Sequence, residues 1–386
     1  MSIRLITAGE SHGRCIIAVL EGIPAGLTVN AEDIDAELAR RQKGYGRGAR
    51  MKIETDFVRI LSGVRHVRSI GSPITMYIHN KDWNNCKPLM SPISVDLDGS
   101  ILEKPRPGHA DLAGLMKYGV KDFRDILERA SARETAGRVA AGAVCKALLK
   151  IFGISINSFV VQIGSVRADI KSISKDKLFA KAEESQVRCP DKKASEEMIK
   201  LIKKTALKGD TLGGKFIVKI SNIMPGLGSH SQWDLKLDGR LSQSLMSIQA
   251  IKAVEIGEGV NFAGLRGSLS HDEIFYNSKK GFFRNTNRAG GIEGGISNGN
   301  PIEITCTMKA IPSLAKPLRS VNINAKKPEK AEAVRSDICA VPAASIVAEA
   351  AAAFEIAKAL KEKFGGDSIE DMKKSVKAYE ARLRNI

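Results

Sequence analysis

The sequence predicts an α+β fold in which two related halves share one core. Apolar runs of strand length and amphipathic or alanine-rich helical stretches are interspersed along all 386 residues. Two short motifs recur in the same order: residues 24–27 (PAGL) as 225–227 (PGL), and residues 71–74 (GSPI) as 299–302 (GNPI). A helical stretch separates them each time, which indicates a duplicated arrangement. Length alone allows two or three domains, or one large domain.

The first part of the chain predicts two strands, one helix and two further strands. Residues 3–6 and the apolar run 15–20 are predicted strands. Asn30 is the predicted cap of a helix that ends near Gln42, since acidic residues follow in its first turn. Strands are also predicted over 52–61 and 73–79. Scattered Pro, Asp and Asn predict a loop over 82–105.

The middle of the chain carries the clearest helix signal. Ser131 and Glu134 have capping-box spacing, and alanine-rich periodicity continues to Lys150. A strand is predicted over 154–166. The lysine-rich segment 171–208 contains an amphipathic helix whose apolar face carries Met198, Leu201, Ile202 and Thr205. We expect its lysines to form a solvated face.

The last part of the chain predicts one more strand and a long helix. Residues 214–220 alternate as a half-buried strand does. Pro342 suits the first position of a helix that ends near Gly365, because its missing N–H and fixed φ are tolerated there. The chain contains no low-complexity segment and no solenoid period.

The amino-acid composition is ordinary for a globular protein. Hydrophobic residues make up 43% and charged residues 27%. No apolar run approaches the roughly 20 residues that cross a bilayer, and the N-terminus lacks a secretory signal, so we expect no membrane partner and a cytoplasmic location. The six cysteines have no metal-knuckle spacing, which predicts reduced thiols and no metal site.

The net charge of +17 indicates an anionic partner. Nucleic acid is one candidate, and a small multiply charged substrate is another. Aromatic residues are only 5% of the chain, which is few for a protein that stacks bases. The charge alone does not choose between the two.

Two arginines lie at the start of the helix predicted from Ser131. Arg129 and Arg133 place positive charge where unpaired amides already make the helix end positive. A bound phosphate or carboxylate would relieve this conflict. Alternatively, Asp125 and Glu128 pair with these arginines.

Two glycine-containing segments carry histidines that could transfer protons. His109 lies in residues 106–111 (RPGHAD), where a rigid turn puts it beside Arg106. His12 lies in residues 9–13 (GESHG), between two predicted strands, where functional loops are common. Either histidine could instead be structural or merely exposed. The adjacent Ser-His pair does not predict a catalytic triad, because neighbouring strand residues point apart.

Three more segments could contact an anion or a flat ligand. Residues 290–299 contain enough glycines for close backbone approach, although a mobile loop has the same composition. Residues 44–48 (GYGRG) follow Arg40 and Arg41 as a flexible cationic arm. Neither segment matches a Walker loop or a dinucleotide fingerprint. Residues 335–337 (RSD) either cap the last helix or supply an anion clamp and a base.

Together these segments resemble the chorismate synthase family across nearly the whole chain. Six of them occur in the family's order: residues 9–13 (GESHG), 106–111 (RPGHAD), 128–143 (beginning ERASARET), 245–250 (LMSIQA), 290–295 (GGIEGG), and 335–337 (RSD) with Ala348 and Glu349. The first motif usually continues to Asp-Gly, and here the pair is Glu21-Gly22. The charge is retained, so the difference concerns the local geometry at that strand end.

The resemblance implies a fold and an activity. The fold is a β-α-β sandwich, with helices packed between antiparallel sheets and two related halves, formed by residues 1–386 as a single domain. The assembly is a homotetramer. The reaction converts 5-enolpyruvylshikimate 3-phosphate to chorismate and phosphate by anti-1,4-elimination. It requires reduced FMN although no net oxidation occurs, and the protein orients and tunes that cofactor.

The resemblance also implies roles for individual residues. His109 would protonate the departing phosphate, His12 would maintain the protonation state of the reduced flavin, and Asp337 would help to remove the ring proton. The implied FMN-binding residues are Arg129, Ala130, Ser131, Gln249, Ala250, Gly294, Lys309, Ala310, Ile311, Pro312, Ser313 and Arg335. The implied substrate-binding residues are Ser11, Arg41, Arg47 and Arg133.

Two rival interpretations remain at this point. A basic nucleic-acid-binding protein would give a salt-sensitive gel shift, but no RNA-binding motif is present and the basic residues spread over many loops. A flavin reductase using NADPH would give a charge-transfer spectrum, and Arg41 and Arg47 fall where family members can contact NADP. Since no dinucleotide fingerprint is present, we expect an external reductant. Since no RNA-binding motif is present, we expect a small anionic substrate and no nucleic acid.

Overall fold

The computed structural model describes residues 2–48, 54–93, 101–174, 176–279, 281–333 and 336–386. Two antiparallel sheets enclose a layer of helices. One continuous set of buried apolar side chains runs from the first sheet through the helices to the second. Within the described residues, no helix combines the length and apolar character needed to cross a membrane.

The first sheet has the strand order β1-β2-β6-β3. Its strands are β1 (Arg4–Ala8), β2 (Cys15–Glu21), β3 (Val58–Ile60) and β6 (Ile74–His79). Ile16, Ala18 and Leu20 alternate with half-buried neighbours along β2, so one face of the sheet packs on the helices. The short hairpin β4 (Val64–Arg65) and β5 (Arg68–Ser69) lies beside this sheet.

The second sheet has the strand order β10-β15-β9-β7-β8. Its strands are β7 (Ser155–Ile163), β8 (Val166–Arg167), β9 (Gly214–Ser221), β10 (Ile251–Ile256) and β15 (Ile302–Met308). The burial of β15 alternates strictly, with Ile302, Ile304 and Cys306 facing the helices. Register shifts between Val160 and Gln162 and between Ile251 and Ala253 bend the sheet locally.

Four helices form the central layer. They are α1 (Ala31–Gln42), α5 (Thr135–Ile151), α8 (Leu237–Met246) and α10 (Val341–Phe364). Helix α5 packs on the first sheet and α10 on the second, and the two helices pack against each other. A Cβ at Gly142 would lie 2.6 Å from the Cα of Ala350, so only glycine permits this close helix contact.

Further helices and hairpins surround this sandwich. The helices are α2 (Trp83–Cys86), α3 (Asp111–Tyr118), α4 (Arg124–Ala130), α6 (Leu178–Glu184), α7 (Lys192–Ala206), α9 (Gly267–Ser270) and α11 (Ile369–Leu383). The strands are β11 (Ile274–Asn277), β12 (Gly281–Arg284), β13 (Ile292–Glu293), β14 (Ile296–Ser297), β16 (Arg319–Asn322) and β17 (Lys327–Lys330).

Matching hydrogen bonds relate the two halves. The buried Ser69 hydroxyl accepts from Leu27 N–H at 2.9 Å and donates to Pro24 C=O at 2.6 Å. The buried Ser297 hydroxyl accepts from Leu227 N–H at 2.9 Å and donates to Met224 C=O at 2.8 Å. Each serine ends a short hairpin that precedes β6 or β15. The predicted α+β fold with two related halves is therefore confirmed.

Three local predictions need correction. The strand predicted over 52–61 is limited to Val58–Ile60 within the described residues, and the carboxylates of Glu54 and Asp56 just before it are buried in the protein interior. The loop predicted over 82–105 contains the short helix α2, and its residues 94–100 lie outside the described part. Asn30 occupies the cap position of α1, but its side chain bonds to Asp33 instead of the helix backbone.

The helix start at Ser131 also differs from the capping-box prediction. Ser131 ends α4, and its hydroxyl accepts from Arg133 N–H at the start of a 3₁₀ turn that continues into α5. Its own N–H already donates to Leu127. Glu134 therefore cannot close a capping box, and its carboxylate points to Arg138 and Gln249 instead.

Candidate active site

His12 lies in the loop between β1 and β2 and is fixed by Glu128 of α4. The Glu128 carboxylate accepts from His12 backbone N–H at 2.7 Å and lies 2.8 Å from Nδ1. A carboxylate only accepts hydrogen bonds, so Nδ1 carries the hydrogen and Nε2 faces away, 3.9 Å from Asp82. Glu128 is only 2% exposed. Glu128 bonds to His12, so the alternative in which Glu128 pairs with neighbouring arginines is wrong.

Ser11, Ser131 and Arg129 lie around the same loop. The Ser131 hydroxyl donates to Ser11 Oγ at 3.1 Å, and Ser11 N–H donates to Glu128 C=O at 2.9 Å. Arg129 donates to the carbonyls of Gly9 and Thr7, each at 2.8 Å. These bonds join the end of α4, including Ala130, to the end of β1.

Arg41 and Arg133 share one buried carboxylate. Arg41 donates to Asp56 Oδ2 at 3.0 Å, and Arg133 donates to Asp56 Oδ1 at 2.5 Å. Arg133 also donates to Asn80 Oδ1 at 2.8 Å, and the Asn80 amide donates to Gly13 C=O at 2.7 Å in the His12 loop. This places the two arginines beside His12 through a continuous hydrogen-bonded path.

Three arginines are crowded together in this region, where the carboxylates of Asp56, Asp337 and Glu54 face them. Burial lowers the pKa of Arg41 to about 10; the Asp56 carboxylate opposes this, and the nearby Arg133 and Arg47 reinforce it. The Arg41 Nε is buried and has no hydrogen-bond partner among the residues that the structure describes. A further anion would be stabilised here.

Arg47 and Asp337 form the other side of this cationic region. Arg47 Nη1 lies 3.2 Å from Asp337 Oδ2, and Gly48 N–H donates to Asp337 Oδ1 at 2.6 Å. Ile338 N–H donates to Gly46 C=O at 2.7 Å, which fixes the arm of residues 44–48 on the chain before α10. Arg335, predicted to bind cofactor, lies outside the described residues.

His109 lies in a second cluster, between Asp111 and Arg106. Its Nδ1 bonds to the Asp111 carboxylate, which is fully buried, and Arg106 donates to the other carboxylate oxygen at 2.9 Å. Burial alone would raise the pKa of Asp111, but the hydrogen bonds from His109 and Arg106 hold it well below its usual range. Arg106 also donates to Ser313 Oγ at 2.8 Å.

The predicted cofactor segment 309–313 follows β15 and adjoins His109. Lys309 Nζ donates to Gly108 C=O at 2.6 Å, next to His109. Ile311 C=O accepts from the Thr211 hydroxyl at 2.7 Å. Ala310 and Pro312 complete this segment, and Pro312 lies near Gly108.

Gln249 and Ala250 link this segment to the Ser131 region. Ala250 C=O accepts from Lys309 N–H at 2.9 Å, while the Gln249 amide donates to Glu134 at 2.8 Å. Gln249 Oε1 is buried without a hydrogen-bond partner in the described part of the chain. Ala250 has a φ of 66°, a left-handed conformation that is uncommon outside glycine.

The structure thus brings the predicted residues into two groups. The first, hereafter the cationic cluster, contains Ser11, His12, Arg41, Arg47, Arg133 and Asp337, and residues 129–131 adjoin it through the bond from Ser131 to Ser11. The second, hereafter the His109 cluster, contains Arg106, His109, Asp111, Gln249, Ala250 and residues 309–313. The contact of Gln249 with Glu134, three residues after Ser131, connects them. Among the described residues, no hydrogen bond or ion pair joins His109 directly to Arg133 or Asp337.

Gly294 is the described candidate that lies apart from both clusters. It is exposed at the turn between β13 and β14, and this hairpin bonds to Gly228 and Leu237. A Cβ at Gly294 would meet no atom within 4 Å. Its backbone is therefore accessible, but the chain itself does not bring it to the other predicted cofactor residues.

Sequence reasoning missed two residues that organise the cationic cluster. Asp56 and Asn80 are both buried, at 2% and 0% exposed, and hold Arg133 from two sides. Neither belongs to a recognisable local motif. Asn80 could have been singled out as a polar residue directly after β6, because strand ends commonly carry functional groups.

The similarity to known proteins covers the whole chain. The family model described as chorismate synthase matches residues 3–360. A chorismate synthase of Endomicrobium trichonymphae is 68% identical over 384 residues, covering 100% of both chains. One of Desulforudis audaxviator (strain MP104C) is 52% identical over 383 residues, covering 99% of this chain and 98% of its own.

A solved structure gives the same result for the fold. A crystal structure of chorismate synthase matches with a TM-score of 0.80 at 42% identity, covering 100% of this chain and 99% of that chain. The matched range includes the histidine-bearing and arginine-bearing segments described above, because it covers the whole of this chain. The chain therefore belongs to the chorismate synthase family, the carbon–oxygen lyases that act in the shikimate pathway.

Proposed function

We propose that the cationic cluster and the His109 cluster together form the site where this lyase binds reduced FMN and 5-enolpyruvylshikimate 3-phosphate. The observation that carries the proposal is the clustering of Arg41, Arg47 and Arg133, which the carboxylates of Asp56, Asp337 and Glu54 hold together. The substrate has two carboxylates and a phosphate, which are the groups that guanidinium side chains bind well. Each charge-assisted hydrogen bond contributes about 1.5–3 kcal/mol.

The residues present suit a flavin. Gln249 Oε1 is a buried acceptor without a protein donor in the described chain, and an isoalloxazine ring offers N–H groups. Lys309 adds a cation beside that segment for the FMN phosphate, and Arg129 and Ser131 lie at the Glu134 end. Reduced FMN supplies electron density to the substrate as phosphate leaves. We propose that the cofactor is held by the predicted residues that the structure describes: Arg129, Ala130, Ser131, Gln249, Ala250, Gly294 and residues 309–313.

His109 is proposed to protonate the departing phosphate. Asp111 fixes its ring through Nδ1, and Arg106 lies 3.0 Å from Nδ1 and 3.3 Å from Nε2. A guanidinium beside an imidazole favours an anion at the same place, which suits a phosphate. The carbon–oxygen bond breaks and its electron pair leaves with the phosphate, which accepts the proton from His109.

His12 and Asp337 are proposed to handle the other proton. Asp337 is fixed by Gly48 N–H and Arg47, and it lies beside the cationic cluster where the substrate ring would sit. The ring proton leaves towards Asp337 as the new double bond forms. His12, with Nδ1 held by Glu128, is proposed to maintain the protonation state of the reduced flavin through Nε2.

One assay tests this proposal. The protein is incubated anaerobically with reduced FMN and 5-enolpyruvylshikimate 3-phosphate, and chorismate and inorganic phosphate are measured. We expect equimolar products from the wild type, and a loss of about 10²–10⁴-fold in rate for His109→Ala and for His12→Ala, the range for lost proton transfer. The exposed His230 provides the control variant His230→Ala, which should retain the wild-type rate. Wild-type rates in both active-site variants would refute the proposed roles.

Three features of the family are carried over as proposals about this chain. We propose a single domain, supported by the one apolar core that spans both sheets. We propose a homotetramer, which would allow the exposed Gly294 hairpin of one subunit to meet a site on another. We also propose an external source of reduced flavin, with direct reduction by NADPH at Arg41 and Arg47 as the alternative.

A further inference from the structure

The Gln249 amide is satisfied at one end only. Its nitrogen donates to Glu134 Oε1 at 2.8 Å, whereas its oxygen is buried and has no hydrogen-bond partner within the described ranges. A buried acceptor left without a donor destabilises the protein, because the group has lost its bonds to water. Such a group in a native structure calls for an explanation, and a bound ligand that donates a hydrogen bond is one.

Glu134 determines which end of the amide is left over. An ionised carboxylate only accepts hydrogen bonds, so the amide NH₂ must face it, and a flipped amide would oppose two acceptors. Glu134 cannot turn away, because Arg138 Nε lies 3.0 Å from one of its oxygens and 3.2 Å from the other. Glu134 is 4% exposed, so water does not compete strongly for it.

The backbone around Gln249 is also held. The following residue, Ala250, has a φ of 66° and accepts from Lys309 N–H at 2.9 Å. Two residues before Gln249, the Ser247 hydroxyl accepts from Arg138 at 2.6 Å. A left-handed alanine is strained and persists only where its surroundings impose it. Both sides of Gln249 are therefore constrained, which favours a fixed direction for its oxygen.

We propose that Glu134 is a positioning residue for the cofactor: by holding the Gln249 amide nitrogen, it directs Gln249 Oε1 towards an N–H group of the flavin ring. This inference rests on the proposed function, since it assumes that the ring binds beside Gln249. Glu134 itself need not touch the ligand. Its effect is on the affinity for a ring that carries an N–H donor.

A double-mutant cycle tests this coupling. The variants are Glu134→Gln, which can present either an acceptor or a donor to Gln249, Gln249→Met, which has similar length but no acceptor, and the two combined. The dissociation constant of FMN is measured by calorimetry on the full chain. We expect each single change to raise it about 3- to 10-fold, the effect of one net hydrogen bond. The double variant should bind no more weakly than Gln249→Met.

Each outcome has a defined meaning. Independent effects that multiply in the double variant would show that Glu134 does not act through Gln249 and would overturn the inference. Asp125→Asn is the matched control, since it removes one negative charge at an exposed position on α4. It should change the FMN dissociation constant by less than about twofold. An equal loss in this control would indicate a general electrostatic effect and refute the proposal. Failure of the wild type to bind FMN would instead refute the proposed function.

Discussion

Each candidate histidine is held at Nδ1 by a buried carboxylate, Glu128 for His12 and Asp111 for His109. The two carboxylates come from different elements, α4 and the start of α3. Because the carboxylate fixes the ring and the tautomer, Nε2 is the nitrogen directed away from it in both cases. The two histidines are thus oriented in the same way, each by a carboxylate at Nδ1.

Asp111 should affect catalysis through His109. In Asp111→Asn the ring loses a charged acceptor and Arg106 loses its ion pair, so His109 is less well oriented. We expect kcat to fall by about 10-fold or more with a smaller change in KM, since positioning for the chemical step is lost more than binding. Initial rates over a range of substrate concentrations measure both constants.

The exposed Asp125 on the neighbouring helix provides the comparison. Asp125→Asn should leave kcat and KM close to the wild-type values. If Asp111→Asn raised KM while kcat stayed constant, His109 would contribute to binding only, and the proposed proton transfer from it to phosphate would be wrong.

At the scale of elements, α10 carries a fully buried carboxylate at its centre. Glu349 contacts Arg40 at 2.9 Å, Lys146 at 2.6 Å and Arg188 at 3.2 Å, so it ties α1, α5 and the chain after α6 to one point. This same α1 ends in the cationic arm beside Arg41. A cavity of about 330 Å³ adjoins the arm and is lined in part by Arg40, Tyr45 and Arg188.

Glu349 should stabilise the fold in a pH-dependent way. Burial would raise its pKa, but Lys146, Arg40 and Arg188 lower it to about 2. Because the folded pKa lies below the unfolded one, this stabilisation is complete above pH about 4.5 and is lost as the pH falls towards 2. Glu349→Gln should lower the unfolding free energy by about 3–5 kcal/mol at pH 7, and by much less at pH 3. Urea unfolding at the two pH values measures this.

Glu355 on the same helix is a control, because its pKa is shifted in the opposite direction to that of Glu349. Burial raises its pKa, with Arg240 opposing, so its ionised form destabilises the native state at neutral pH. Glu355→Gln should therefore be neutral or slightly stabilising at pH 7. Equal losses in both variants would show that any polar change in α10 has the same cost, and would contradict the role of the three cations around Glu349.

The elements that the sequence predicted well are those with a local apolar pattern. The run 15–20 became β2 (Cys15–Glu21), and the periodic segment with Met198 and Ile202 became α7. Helix α4 was missed, and the helix predicted from Ser131 begins as α5 only at Thr135, after a 3₁₀ turn. The two-stranded hairpins β11–β12 and β16–β17 were also missed.

In the candidate site, too, the residues that could be predicted are those in local sequence motifs. The histidines and arginines stand in short motifs, so the sequence could single them out. Their partners could not be predicted, because Asp56 meets Arg133 across 77 residues and Arg106 meets Ser313 across 207. Such contacts depend on the packing of two halves of the molecule, which no local pattern encodes.

At the scale of the molecule, α11 contacts both copies of the turn that Ser69 and Ser297 hold together, hereafter the duplicated turn. Ala25 pairs with Ser368 at the start of α11, and Tyr379 within α11 donates to Pro225 C=O at 3.0 Å. The helix lies beyond residues 3–360 that match the family model. It therefore adds a contact between the halves outside the range that the family model matches.

The duplication predicts equal energetic roles for Ser69 and Ser297. Each buried hydroxyl satisfies one leucine N–H and one carbonyl, so replacement by alanine leaves two buried groups unpaired. We expect Ser69→Ala and Ser297→Ala each to lower the unfolding free energy by about 1–3 kcal/mol, and their double variant to lose close to the sum. Denaturant unfolding of the three variants measures these values.

Ser62 provides a control with the same bonding but no burial. Its hydroxyl donates to Pro73 C=O at 2.9 Å and accepts from Thr75 N–H at 3.1 Å, yet the residue is exposed. Water can replace those bonds, so Ser62→Ala should cost no more than about 0.5 kcal/mol. If one buried serine proved as tolerant as Ser62 while the other did not, the two halves would share their geometry but not its energetic role. The duplicated turn would then be a remnant in one half and a structural requirement only in the other.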